Sequence, residues 1–334
     1  MSLRGWMLFA AMGVIWGIPY LLIKVAVDEV SVPVLVFARS AIGAVLLLPL
    51  ALSREARTTI VRHWKPVVAF AVVELVAAWL LLADAERHLT SSLTGLLIAA
   101  TPIIAAILDR VTGGEHRLDA VQVIGLAVGL AGVAALAAPG ISGGSAWPVT
   151  EVLLVAACYA TGPLIAARYL ADVPGPGLTA ATLGLAALLC LPLAVPAWPR
   201  EVPSGHALAA IIALAVVCTA LAFIVFFALI REVGPTKAPI ITYVNPAVAL
   251  AAGVVVLREP VTWWNLLGLG LILAGSVWAT RKSSASSAAP PELPDREALC
   301  SSSRRDDEHS ASRYYGGSGW PLRPVTPGVP PMPG

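Results

Sequence analysis

Residues Ile241–Gly275 read ITYVNPAVALAAGVVVLREPVTWWNLLGLGLILAG. An apolar run carries Asn245-Pro246 near its start, a polar break follows at Arg258-Glu259-Pro260, and a second apolar run is interrupted by glycines. The same plan occurs earlier, in IAATPIIAAILDRVTGGEHRLDAVQVIGLAVGLAG from Ile98 to Gly132. Pro102 and Pro246 stand 144 positions apart, as do Glu115 and Glu259, with Thr101 in the place of Asn245. One unit is written twice along the chain.

That period is far too long for a solenoid, and each unit is strongly apolar, so the repeat points to the duplicated architecture of membrane carriers. Composition agrees. Of 334 residues 58% are hydrophobic and only 13% charged, which is too little polar surface to cover a water-soluble globule. A net charge of +2 gives no reason to expect a nucleic-acid partner. Cys158, Cys190 and Cys218 fall in apolar runs and Cys300 in a polar tail, without the paired spacing of a disulfide framework or a metal site.

Runs of a length that spans a hydrocarbon core are predicted near Trp6–Val27, Val32–Leu52, Pro66–Ala85, Thr94–Leu108 and Ala120–Ala138. A second set follows near Val149–Leu170, Leu178–Ala197, Ala207–Ile230, Thr236–Leu257 and Thr262–Thr280. The predicted fold is all-α and integral to the membrane, with ten transmembrane helices in two five-helix repeats, 1–140 and 141–280. Residues 281–334, rich in Ser, Pro and Gly, are expected to be a disordered cytoplasmic tail.

Basic residues fix the expected orientation. Arg4, Arg54, Arg57, Arg62, Lys65, Arg110, Arg117, Arg168, Arg231 and Lys237 fall on one side, and only Arg87, Arg200 and Arg258 on the other. The richer side is cytoplasmic, which places both termini inside a cell membrane. Five helices per half is odd, so the second half is expected upside down relative to the first.

Several motifs resemble the EamA-type drug/metabolite transporters: Trp16-Gly17 and Lys24, Pro33 and Arg39, Thr101-Pro102, Gly114-Glu115, Gly234-Pro235, Tyr243-Val244-Asn245-Pro246, and Glu259 ahead of Gly268 and Gly275. The resemblance runs from about Leu8 to Thr280. It implies a secondary transporter, more often an exporter, with a site bounded by helices one, three, four, six, eight and nine. Asn245 stands where members often carry glutamate, and AERHLTSS replaces a lysine-bearing turn after helix three. The resemblance is specific for fold and unspecific for substrate.

Duplication also sorts residues. A residue present in both halves serves the shared backbone plan, whereas a polar residue in one half only is a candidate for a specialised task. Pro102 and Pro246 are expected to break their helices as structural hinges, with ligand contact by Thr101 or Asn245 the competing reading. Glu115 and Glu259 are expected to cap and fix loops. Gly125, Gly129, Gly132, Gly268, Gly270 and Gly275 predict tight packing of helices five and ten, with each other or across a homodimer. Trp6, Trp64, Trp147, Trp198, Trp263, Trp264 and Trp278 lie at helix ends, as an interfacial belt requires.

Trp16 and Trp79 do not fit that belt, and their counterparts Tyr159 and Phe223 are also aromatic. These four either line a central pocket or pack a core. The one-sided polar residues are Lys24, Arg39 and Glu74, opposite Ala167, Thr182 and Cys218. Trp16, Tyr20 and Lys24 form one stripe, with Lys24 either snorkelling to water or touching substrate. Arg39 and Glu74 lie about 10 Å and about 12 Å from opposite faces of a core about 30 Å thick, near enough in depth to form an ion pair; a static structural pair is one reading, and a proton or substrate-amine site at Glu74 is the favoured one. Candidate substrate contacts are therefore Trp16, Tyr20, Lys24, Arg39, Glu74, Trp79, Thr101, Tyr159, Phe223, Tyr243 and Asn245.

A small-molecule substrate and membrane lipid are the expected partners, with no cofactor and no metal. No GxxxxGK[ST] loop is present, so the driving force is expected from a gradient or from exchange. The five histidines lie scattered in loops and tail, which argues against an intramembrane enzyme. An uncoupled facilitator or exchanger is the rival within transporters, with Glu74 then a structural group.

Overall fold

A computed structural model describes residues 2–51, 54–112, 120–142, 146–234 and 238–279. Glu115, Lys237 and the tail expected over 281–334 lie outside the described residues. The elements are helices: α1 Leu3–Val27, α2 Val32–Ala51, α3 Trp64–Ala85, and α4 in two pieces, Ser91–Ile98 and Thr101–Val111. Then come α5 Ala120–Ser142, α6 Ala146–Tyr169, α7 Gly175–Ala194 and α8 Gly205–Val233. A 3-10 stretch Ala238–Tyr243 leads into α9, Asn245–Leu257, and α10 is Trp263–Ala279. Among the described residues eight helices are long and apolar enough to cross a membrane, and the last two apolar helices are shorter.

Proline sets the interruptions. In α1 the helix pauses at Ile18 and restarts at Pro19, a joint the sequence reading passed over. Proline has no N–H to give the preceding turn, yet its fixed φ suits a first helical position. Pro102 opens the second piece of α4 after a turn at Ala99-Ala100, and Pro246 opens α9 after the 3-10 stretch. The interruptions thus recur at matching places in both halves.

A second feature also recurs. α3 winds as a π-helix over Ala71–Ala77, and α8 does so over Val216–Leu221. Each wide turn sits 144 to 145 residues from its counterpart, and π-turns are uncommon enough to mark function in many proteins.

The halves pack on one another in a reciprocal pattern. α2 lies along α7, α5 along α10, and α4 against α9, while α1 packs on α8 and α3 on α6. The α5–α10 contact is nearly backbone on backbone. A Cβ on Gly275 would sit 2.4 Å from the Gly129 nitrogen, and one on Gly132 would sit 2.8 Å from the Ile272 nitrogen. Helices five and ten therefore pack with each other. Gly270 is the exception, since it faces open space.

Polarity is distributed inside out. Val45, Leu188 and Val255 stay 69%, 67% and 77% exposed on the bundle's flanks, an arrangement that suits hydrocarbon and not water. The seven belt tryptophans are all exposed as well. Arg39, Glu86, Thr182 and Thr219 are buried between helices.

Links between the halves at the helix ends are polar. Both oxygens of the Glu29 carboxylate are taken by Ser204, from its backbone N–H and its hydroxyl at 2.6 Å each, and Ser204 is itself the N-cap of α8. These bonds hold the Glu29 carboxyl below the usual carboxylate range. The Ser2 hydroxyl donates to Glu232, tying the start of α1 to the end of α8.

Candidate functional site

The centre of the bundle is organised by Arg39. Its guanidinium lies over the Trp79 ring, 3.7 Å from the centroid, and its Nε donates to the Thr219 hydroxyl at 2.9 Å. Thr219 belongs to the π-turn of α8 and passes its own proton to the Leu214 carbonyl, five residues back, at 2.8 Å. That wide turn aims a hydroxyl at the cation. Tyr20, Tyr159 and Cys218 complete the electrostatic surroundings of Arg39. A cation so placed is partnered by a π-face and a neutral hydroxyl, and among the described residues no carboxylate forms an ion pair with it.

Glu74 does not form the ion pair with Arg39 that its depth allowed. It sits in the π-turn of α3 and lies against the backbone of Gly162 in α6, where a Cβ would fall 1.9 Å from its Oε2. That oxygen is buried without a hydrogen-bond partner. That reading failed because depth along the bundle says nothing of which way a helix face turns. Pro163 follows Gly162 inside α6 and offers no N–H to the Tyr159 carbonyl one turn earlier, so this wall is short of donors.

The four internal aromatics meet across the halves. Trp16 of α1 makes an edge contact with Phe223 of α8, at 6.3 Å between centroids, and a closer one with Phe226 at 4.8 Å. In the other direction Trp79 of α3 and Tyr159 of α6 belong to one packed group. Tyr20, Trp79, Tyr159 and Phe223 belong to one apolar cluster, and Trp16 packs against its neighbour.

Other predicted contacts lie elsewhere. Lys24 lies at the end of α1, where its Nζ donates to the backbone carbonyl of Glu86 at 2.6 Å. The Thr101 hydroxyl is spent on the Ile98 carbonyl at 2.7 Å, a group freed by the break in α4. Asn245 keeps a buried Oδ1 without a partner at the start of α9, and Gly17 of α1 comes close enough that a Cβ would meet the Asn245 carbonyl at 3.2 Å. Tyr243 ends the 3-10 stretch just before it.

Glu259 caps, as expected, but it caps a different helix. Its two oxygens accept the backbone N–H groups of Ser91 and Ser92 at 2.8 and 2.9 Å, the opening turn of α4. Together with the N-cap Thr90, whose hydroxyl accepts from the Leu93 N–H at 3.2 Å, these bonds satisfy the free N–H groups of a helix that starts at Ser91, ahead of the first strongly apolar residue. Four residues escaped the sequence reading: Thr219, Gly162, Glu86 and Glu151. Thr219 was one step from Cys218, the repeat counterpart of Glu74, and the carboxylates were hidden at helix ends where charge is ordinary.

Two side clefts of about 380 Å³ open in the bundle. One is lined by Ala44, Leu48, Gly184 and Leu188, the other by Ser31, Leu81, Asp84 and Arg87, and neither is lined by Arg39 or Glu74.

The model of the EamA-like transporter family matches residues 3–138 and again 147–281. An uncharacterized transporter, YvbV of Bacillus subtilis, is 27% identical over 290 residues, covering 85% of this chain and 93% of the relative. An uncharacterized inner membrane transporter of Escherichia coli K12, YedA, is 25% identical over 278 residues, 81% of this chain and 88% of its own length. A solved structure described only as that of a protein superposes with a TM-score of 0.60 at 19% identity, over 83% of this chain and 96% of the other, which speaks for the fold alone. With a lipid-facing helical bundle and two copies of one domain, the chain is a multi-pass membrane transporter and belongs to the EamA-like transporter family.

Proposed function

We propose that this transporter is a ten-helix secondary carrier that exports a small polar or amphipathic metabolite, of the amino-acid, amine or drug class, in exchange for protons. Two inverted five-helix halves rock about a mid-bundle site made by Tyr20, Arg39, Glu74, Trp79, Tyr159 and Thr219, with both termini cytoplasmic. Reciprocal packing of α1 on α8 and α3 on α6 supports the inverted relation, because a two-fold operation must exchange the members of such pairs. The broken helices at Pro102 and Pro246 serve as hinges, where few backbone hydrogen bonds resist bending.

The observation that carries the proton is the unpartnered oxygen of Glu74. A carboxylate at that depth costs about 3 kcal/mol or more unless something relieves it. A proton relieves it in one state of the cycle and a substrate ammonium in another. Arg39, held by a ring face and a hydroxyl, is free to engage a substrate's carboxylate or other electron-rich group without first leaving an ion pair. The aromatic walls supply the apolar contact.

The test is uptake by proteoliposomes of labelled amino acids, nucleosides, polyamines and lipophilic amines, with and without an imposed pH gradient. Gradient-stimulated flux of one class is expected, and Glu74→Gln should abolish the stimulation while leaving exchange. Flux that ignores both the gradient and the substitution makes the protein an uncoupled exchanger, with Glu74 structural.

A further inference from the structure

At the corner where α3 hands over to α4, twelve residues beyond Glu74, stands a second carboxyl. Glu86 is 0% exposed, and both Oε1 and Oε2 lack a hydrogen-bond partner. A cation is at hand but not on it. The Lys24 ammonium, from the end of α1, donates to the backbone carbonyl of this same residue at 2.6 Å and makes no hydrogen bond to the carboxyl oxygens. Glu259 approaches from beyond α9 with both oxygens already committed to the first turn of α4. The hydroxyls of Ser91 and Ser92 are buried without partners as well.

We propose that this corner is a second proton-binding site: the Glu86 carboxyl is protonated in the conformation described, and Lys24 is the built-in cation that replaces the proton when it leaves. An ionised carboxylate buried from the protein surface with no donor costs several kcal/mol, whereas the neutral acid removes most of that cost. When the O–H bond breaks, the proton departs to solvent and the negative charge stays on Glu86. The Lys24 ammonium then needs only to pass from the carbonyl to the carboxylate of one residue. Loss of the proton lowers the charge of the Glu86–Lys24 pair by one, from that of a lone ammonium beside a neutral acid to that of a neutral ion pair, and the seating of α1 on α3 changes with the proton load.

Groups facing Glu86 are Lys24 and Tyr20 from α1 and Glu259 from the α9–α10 loop. Asp84, Arg87 and His88 stand on its own segment, and Glu151 of α6 stands beside Asp84. Burial pushes the Glu86 carboxyl well above the usual range; Lys24 pulls it down and Glu259 pushes it further up. The site does not depend on the role given to Glu74.

Infrared absorption of protonated carboxyl groups in the reconstituted full-length protein, titrated from about pH 5 to about pH 9, reads the site without a known substrate. The natural protein is expected to keep a protonated-carboxyl band at neutral pH, part of which Glu86→Gln removes. Lys24→Met should raise the midpoint of that part by about one pH unit or more, because the lost cation favoured the ionised form. If Glu86→Gln misfolds, Glu86→Asp replaces it and must shift the band. A neutral-pH band unchanged by either variant means Glu86 is ionised and overturns the site. A midpoint indifferent to Lys24→Met overturns the cation's role. Glu74→Gln, run in parallel, tests the mid-bundle carboxyl separately: loss of band there alone would sink this proposal and spare the other.

Discussion

Gly275 and Gly270 lie on the same helix and are predicted to respond to alanine with opposite signs. At Gly275 the added Cβ would fall 2.4 Å from the Gly129 nitrogen, 2.5 Å from its Cα and 2.6 Å from the Gly125 carbonyl oxygen. All three are backbone atoms of α5, so no side chain can rotate away. Restoring an ordinary contact of about 3.4 Å or more requires α5 and α10 to separate by about 1 Å, which loosens neighbouring contacts along the interface. Overpacking of this kind costs about 1–3 kcal/mol and at times more. At Gly270 nothing lies within 4 Å, and replacing a helical glycine by alanine contributes up to about 1 kcal/mol. Thermal unfolding of purified protein, followed by loss of the monodisperse elution peak after heating, should place Gly275→Ala about 2–5 °C below the natural protein. Gly270→Ala should match or exceed the natural protein. Equal thermostability of the two variants would refute the backbone-on-backbone packing.

Three further outcomes follow from the polar contacts. Arg39→Lys loses the flat guanidinium over Trp79 and the directed Nε bond to Thr219, so stability should fall by about 1–2 kcal/mol and flux should drop more than in Thr219→Val, as read by melting and proteoliposome uptake. Glu259→Ala uncaps α4 at Ser91 and Ser92 and should cost about 1–2 kcal/mol in melting experiments, with Glu259→Gln falling between. For Glu29, whose folded carboxyl pKa is depressed by Ser204, the stabilisation is present above the unfolded value of about 4.3 and is lost as pH falls through the lower folded value. The melting temperature of Glu29→Gln should therefore lie below that of the natural protein at neutral pH and converge with it in acid.

The sequence by itself determined the class and the plan. Apolar runs of membrane length, the duplicated Pro and Glu, and the glycine rows of helices five and ten are properties of order along the chain, and each was legible because backbone needs repeat when a unit repeats. The belt tryptophans were legible for the same reason, since helix ends can be read from one dimension. Which faces meet was a different matter. Arg39 and Glu74 shared a depth range yet turn to different neighbours, Arg39 to the π-turn of α8 and Glu74 to the bare backbone of Gly162. Lys24 and Glu86 lie 62 residues apart, and Glu259 and Ser91 lie 168 apart. Only the tertiary structure could choose those partners, because an apolar helix is nearly uniform around its circumference. Its rotation is fixed by the shapes of its neighbours and by π-turns that shift the side-chain register, neither of which is written in hydropathy.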